Sequence, residues 1–89
     1  MTRNELEEYR SMKMIHLKSG IGKIKQRDHY DDLTRRVEQW IASLDDADEA
    51  DVCRRYYLLG ETLLQISFKM NYSDRQIRRI RRNAISRLS

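Results

Sequence analysis

Six arginines fall within the sixteen residues SDRQIRRIRRNAISRL, Ser73 to Leu88, and Asp74 is the sole acid among them. Arginine carries a planar, permanently charged fork of N–H donors. That fork can hold a phosphate, or the O6 and N7 of a guanine, through two parallel bonds. Whether the side chains act together depends on spacing. At about 100° per residue, Ile77, Ile80, Ala84 and Leu88 gather within about 80° of arc as a buried stripe. Arg75, Arg79, Arg82 and Ser86 centre on the opposite side, and Arg78 flanks them. Arg81 falls at the edge of the stripe, where it is expected to snorkel or to pair with an acid. An ordinary solvated face mixes signs at i,i+4 spacing, but this one has no acid after Asp74. Like charges weaken an isolated helix, and a polyanion relieves that cost. The pattern predicts nucleic-acid binding.

Two capping boxes position this face. In Thr62-x-x-Gln65 and Ser73-x-x-Gln76 a hydroxyl accepts from a free backbone N–H while the glutamine reaches back. They predict helices over about 63–70 and 74–88, with only Asn71-Tyr72-Ser73 between them. Asn71 can adopt the left-handed conformation that closes a helix. Two helices joined so tightly must cross at a steep angle. Ser67 supplies the small residue a close crossing needs. Ile66 and Met70 point inward, Tyr72 plugs the turn, and Ile77 and Ile80 complete the wedge. The spacing Ser67, Asn71, Ile77 is that of a helix-turn-helix over residues 62–88.

The remaining chain must support these two helices. Thr2-x-x-Glu5 is a third capping box, and it opens a helix carrying Leu6, Tyr9, Leu17, Ile21 and Ile24 on one face, with Met14 at its edge. Met12 and Ile15 lie off that stripe: either residues 1–27 are a basic segment for self-association or partner contact, or the two are scattered exposed hydrophobes. A break is expected near Ser19–Gly22, because glycine weakens a helix by roughly 1 kcal/mol. A second helix buries Leu33, Val37, Trp40, Ile41 and Leu44, with Asp28, Asp31 and Asp32 near its start. The acidic run DDADEAD, 45–51, predicts a connection and the first turn of a third helix. That helix continues through Val52, Cys53, Tyr56 and Tyr57 to a cap at Gly60. The chain thus reads as an N-terminal helix over 1–27 and a bundle over 28–89. The whole is all-α, a small bundle of four to five helices with no strand-like alternation.

Composition narrows the function. The chain has 89 residues and a formal charge of +4, which hides a partition. Residues 1–27 carry +4, residues 28–61 carry −6 and residues 62–89 carry +6. No stretch approaches the ~18 apolar residues of a membrane span, and MTRNELEEYR does not read as a secretory signal. The lone Cys53 reads as a small buried hydrophobe and makes no metal-ligand cluster with His16 and His29. Both histidines are expected to be solvated side chains. A reducing, cytoplasmic location follows as an expectation. With no glycine-rich phosphate loop, metal spacing or based nucleophile, no enzyme activity and no cofactor are expected.

The segment YLLGETLLQISFKMNYSDRQIRRIRRNAISRL resembles region 4 of the sigma-70 class of initiation factors. It is more similar still to the C-terminal half of small phage regulators of late transcription in Firmicutes. Tyr57, Gly60, Thr62, Ile66, Ser67, Ser73, Ile77, Ala84 and Leu88 stand at the pattern positions, over about residues 49–89. Gln65 replaces the usual acid and Ser67 the usual alanine. The resemblance implies a DNA-binding domain acting at a promoter in a bacterial host cell, with RNA polymerase as a second contact. It carries over Ser73, Asp74, Arg75, Arg78, Arg79 and Arg82 as residues at double-stranded DNA. Of these, Arg75, Arg78 and Arg79 lie nearest the helix start and are candidates for base edges. Arg82 and Arg87 are candidates for phosphates, and Thr62 and Lys69 for anchoring the first helix to the backbone. Asp74 accepts from a cytosine amine, orients Arg78 at i+4, or favours the helix N-terminus.

The expectation is a sequence-specific transcriptional regulator of phage type that inserts helix 74–88 into the major groove, as a homodimer or with a protein partner. The alternative is a small protein-binding inhibitor or adaptor acting on RNA polymerase or a host nucleic-acid enzyme. The acidic middle of the chain supports that alternative.

Overall fold

The structure, a computed structural model, describes residues 1–20, 22 and 25–88. The predicted contributions of Ile21 and Ile24 to the first helix lie outside them. Five helices account for the fold: α1 Arg3–Ser19, α2 Arg27–Ala42, α3 Ala47–Cys53, α4 Leu63–Met70 and α5 Asp74–Ile85. Among the described residues there is no strand.

All three predicted capping boxes close. Thr2 Oγ1 accepts from the Glu5 amide at 3.2 Å, and Glu5 accepts the Thr2 amide at 2.9 Å. The Arg36 side chain also donates to Glu5 and holds its carboxyl below the usual carboxylate range, assisted by Thr2. That pair ties the first turn of α1 to α2. α1 ends at Ser19, and Gly20 follows with φ +87°, so the predicted break falls where glycine permits it. Further back, Leu6 and Tyr9 are fully buried and share a cluster with Tyr30, Leu33, Val37, Ile41, Cys53, Tyr57 and Ala84. The radius of gyration is 12.9 Å, against about 12 Å for a compact chain of this length. α1 therefore lies on the bundle.

Two details of α1 depart from the predicted stripe. Met12 packs against the core, whereas Leu17 is 52% exposed. Leu17 keeps the correct face but sits in the last turn, where it meets glycine backbone instead of a side-chain layer. A β-carbon built on Gly60 would stand 2.2 Å from Leu17 Cδ1, and Gly60 itself has φ +73°.

In α2, Leu33, Val37 and Ile41 are buried as predicted. Trp40 and Leu44 are only half-buried, lying against the outside of the cluster. Trp40 meets Tyr57 edge-on at 6.2 Å. α3 starts on Asp46, whose carboxylate accepts the Glu49 amide at 3.0 Å. It then widens into a π-helical turn, Arg54–Leu58, closed by the Leu59 amide on the Arg54 carbonyl at 3.1 Å. Adjacent side chains of an α-helix diverge by about 100°. Here the Tyr56 and Tyr57 rings stand 4.9 Å apart, and both face the bundle. Cys53 is fully buried and its thiol is pushed up to about 12 by desolvation, so it is inert packing.

α4 and α5 close on a smaller cluster of Val52, Ile66 and Ile77, with Leu63, Met70, Tyr72 and Ile80 against it. Ser67 is buried, as a close approach requires, and its hydroxyl donates to the Leu64 carbonyl at 2.7 Å. Asn71 ends α4 in the left-handed region, φ 58° and ψ 39°, and both its amide and that of Tyr72 donate to the Ser67 carbonyl. The tyrosine hydroxyl donates to Asp48 at 2.8 Å and fastens the turn to α3. A residue with a β-carbon and no polar side chain pays about 1–2 kcal/mol for that conformation. Urea unfolding of Asn71→Ala should show a loss of that size, while Asn71→Gly should stay within about 1 kcal/mol of the parent.

Candidate nucleic-acid interface

α5 begins at a fixed point. Ser73 Oγ accepts the Gln76 amide at 3.1 Å, and Gln76 Oε1 accepts the Ser73 amide at 2.9 Å. Ile77 and Ala84 are fully buried, and Ile80 and Leu88 are partly so. The predicted stripe is thus the buried one. The helix itself ends at Ile85, three residues short of the predicted end. Leu88 reaches the core from a following turn whose amide donates to the Ile85 carbonyl at 3.0 Å.

Because that stripe is anchored, the opposite face must project. Arg75, Arg78, Arg79 and Arg82 are all exposed, and with Gln76 they line a shallow concavity of about 270 Å³. Asp74 accepts from Arg78 Nε at 2.7 Å and sits in the first turn. Two of its three predicted roles, orienting Arg78 and complementing the helix N-terminus, are therefore met within the chain. Among the described residues Arg75, Arg79 and Arg82 form no ion pair with a carboxylate. Three unneutralised guanidiniums sit on one face of one helix.

The other predicted site residues are placed differently. Arg87, just beyond the end of α5, binds Glu49 of α3. Lys69 donates to Glu61 at 2.7 Å. Thr62 is engaged in its own cap, its hydroxyl accepting the Gln65 amide at 3.1 Å. Each of these makes an internal contact and stands apart from the arginine concavity. Among the described residues Arg81 pairs with no acid. Instead its guanidinium stands over the Tyr56 ring, 4.8 Å from the centroid, and donates to the Tyr57 hydroxyl at 3.1 Å. The histidines are not simply solvated either. His29 Nε2 lies 2.9 Å from Glu8 Oε1, and His16 Nδ1 lies 3.1 Å from the Tyr30 hydroxyl.

The acidic run is largely consumed by the fold. Asp46 caps α3, Asp48 accepts from Tyr72, Glu49 binds Arg87, and Asp51 binds Arg54 and Arg55. Leu64 and Phe68 of α4 are exposed apolar residues not anticipated from the sequence, the latter 78% exposed. The signal was there: both fall opposite the inward Ile66 and Met70 at helical spacing. Gln76, anticipated only as a cap, also lines the concavity.

Fold and site together define an all-helical protein that presents an exposed, arginine-rich terminal helix. Among the described residues no helix is long and apolar enough to cross a membrane. No family model, curated protein or solved structure matches the chain.

Proposed function

We propose that the chain is a sequence-specific DNA-binding transcriptional regulator, in which α4, the three-residue turn and α5 act as a helix-turn-helix and α5 enters the major groove. The observation that carries this reading is the face of Arg75, Arg79 and Arg82, exposed and without carboxylate partners, on a helix whose opposite stripe is buried. A like-charged face costs stability that an external polyanion returns. Arg75, Arg78 and Arg79 lie at the start of α5, the end such a helix inserts most deeply, and are assigned to base edges. Arg82 is assigned to phosphate. The resemblance of residues 49–89 to region 4 of the sigma-70 class and to small phage regulators supports the same role. It adds RNA polymerase as a second partner.

One reading helix gives a small footprint, so binding as a homodimer or beside the polymerase supplies the remaining affinity. The protein-binding alternative drew on the acidic middle of the chain. That support is weakened by the internal partners of Asp46, Asp48, Glu49 and Asp51.

A salt titration of duplex binding tests the proposal. If four to six phosphates are neutralised, the log–log slope should be about −4 to −5. Affinity for duplex DNA that does not change with salt, or no binding at low salt, would overturn it.

A further inference from the structure

A second cationic concavity lies about 100° round α5 from Arg82. Arg10 of α1 and Arg81 of α5 both stand over the ring of Tyr56, with guanidinium carbons 3.9 and 4.8 Å from its centroid. Arg10 donates to the Tyr56 carbonyl, and Arg81 to the Tyr57 hydroxyl. Among the described residues neither pairs with a carboxylate. Arg81 Nε is buried and has no acceptor. With Glu7, Ser11 and Tyr57 these side chains line a concavity of about 290 Å³, and Arg3 lines an adjoining recess.

Two guanidiniums held over one ring repel each other. The ring quadrupole offsets part of that cost. Each guanidinium carries five N–H donors, and each spends one on a neighbouring oxygen. Glu7 is the one acid at the rim, against Arg10, Arg81 and Arg3. The site therefore keeps net positive charge and a surplus of donors.

We infer that this concavity binds a phosphate group bridging α1 and α5. A carboxylate offers two oxygens in a plane, which a single arginine fork satisfies. A tetrahedral phosphate can take donors from Arg10, Arg81 and the Ser11 hydroxyl together. The volume leaves room for a pyrophosphate. The phosphate can come from a free phosphate or pyrophosphate ester, or from the backbone of a nucleic acid. The inference stands on residues outside the Arg75–Arg82 face and does not depend on that face reading DNA.

The test is an NMR titration of the full chain carrying Arg75→Ala and Arg79→Ala, which removes the competing cationic face. The arginine Nε–Hε resonances are followed while sodium pyrophosphate is added at ionic strength held constant with sodium chloride. Saturable shifts at Arg81 and Arg10 are expected. Adding Arg10→Lys and Arg81→Lys keeps both charges but removes the forks, and should weaken binding about tenfold, the worth of one charge-assisted hydrogen bond. Far-UV circular dichroism checks that this variant is folded, and the parent titration stands without it. A parallel titration of the unsubstituted chain with duplex DNA separates the sources. Shifts with duplex alone assign the site to backbone phosphate, and shifts with pyrophosphate alone assign it to a free ester. If neither ligand shifts these resonances, or chloride at equal ionic strength reproduces the effect, the inference fails.

Discussion

Truncating Ile77 to alanine lowers the free energy of unfolding by about 2–5 kcal/mol, the range for large-to-small changes at fully buried aliphatic sites. Ile77 has no exposed surface and sits between Val52 of α3 and Ile66 of α4. Among the described residues, the small cluster it completes is the apolar layer that joins α4 to the rest of the bundle. Domains of this size have stabilities near the low end of about 5–15 kcal/mol, and the substitution removes a large share. The midpoint of urea unfolding measures it. Ile77→Val, which deletes one methylene, should cost only about 0.5–1.5 kcal/mol. Equal losses from both changes would mean that the effect does not scale with the volume removed, and the cavity account would fail.

The second large effect concerns recognition. If Arg79 reads a base, Arg79→Ala weakens binding to the preferred duplex by about 1–3 kcal/mol and relaxes the preference at one position. Arg75→Ala should behave alike, since among the described residues neither side chain has an ion-pair partner. Arg82→Ala, assigned to phosphate, should weaken every duplex by a similar factor and reduce the salt slope by about 1. Binding measured on a selected duplex and on a scrambled one separates the two classes. Arg79 losses that are the same on both duplexes would move it from base to backbone. Arg78 differs from its neighbours because Asp74 already holds it at 2.7 Å. Asp74→Ala frees that guanidinium, so its effect on specificity reports whether the fixed orientation is used.

Local rules made much of the fold legible in the sequence. The three capping boxes, the left-handed Asn71, the small Ser67 and the stripe Ile77, Ile80, Ala84, Leu88 are decided by spacing within one or two turns, and each is present. The exposed face with Arg75, Arg79 and Arg82 followed directly, because burying one side of a helix turns the other out. Features set by contacts distant along the chain were not legible. Arg87, a phosphate candidate by sequence, binds Glu49, thirty-eight residues away. Arg81 was expected to snorkel or to pair with an acid, and its guanidinium is held by two tyrosines brought inward through the π-helical turn. No local pattern announces a π turn, since it adds only one residue to an otherwise ordinary helix. Leu17 shows the same limit. Its position on the helical face was right, but the end of the core was not encoded in periodicity.

α5 is held at both ends. Tyr72 fastens its entrance to Asp48, and Arg3 reaches from α1 to donate to the carbonyls of Ile85 and Ser86 at 3.3 Å each, where a positive charge suits the helix C-terminus. Arg87 adds a further tie to α3. A helix clamped in this way has little freedom left to surrender. If α5 docks on DNA as proposed, rigid docking of that kind gives encounter rates governed mainly by charge attraction, so selectivity among duplexes should appear in how long each complex survives.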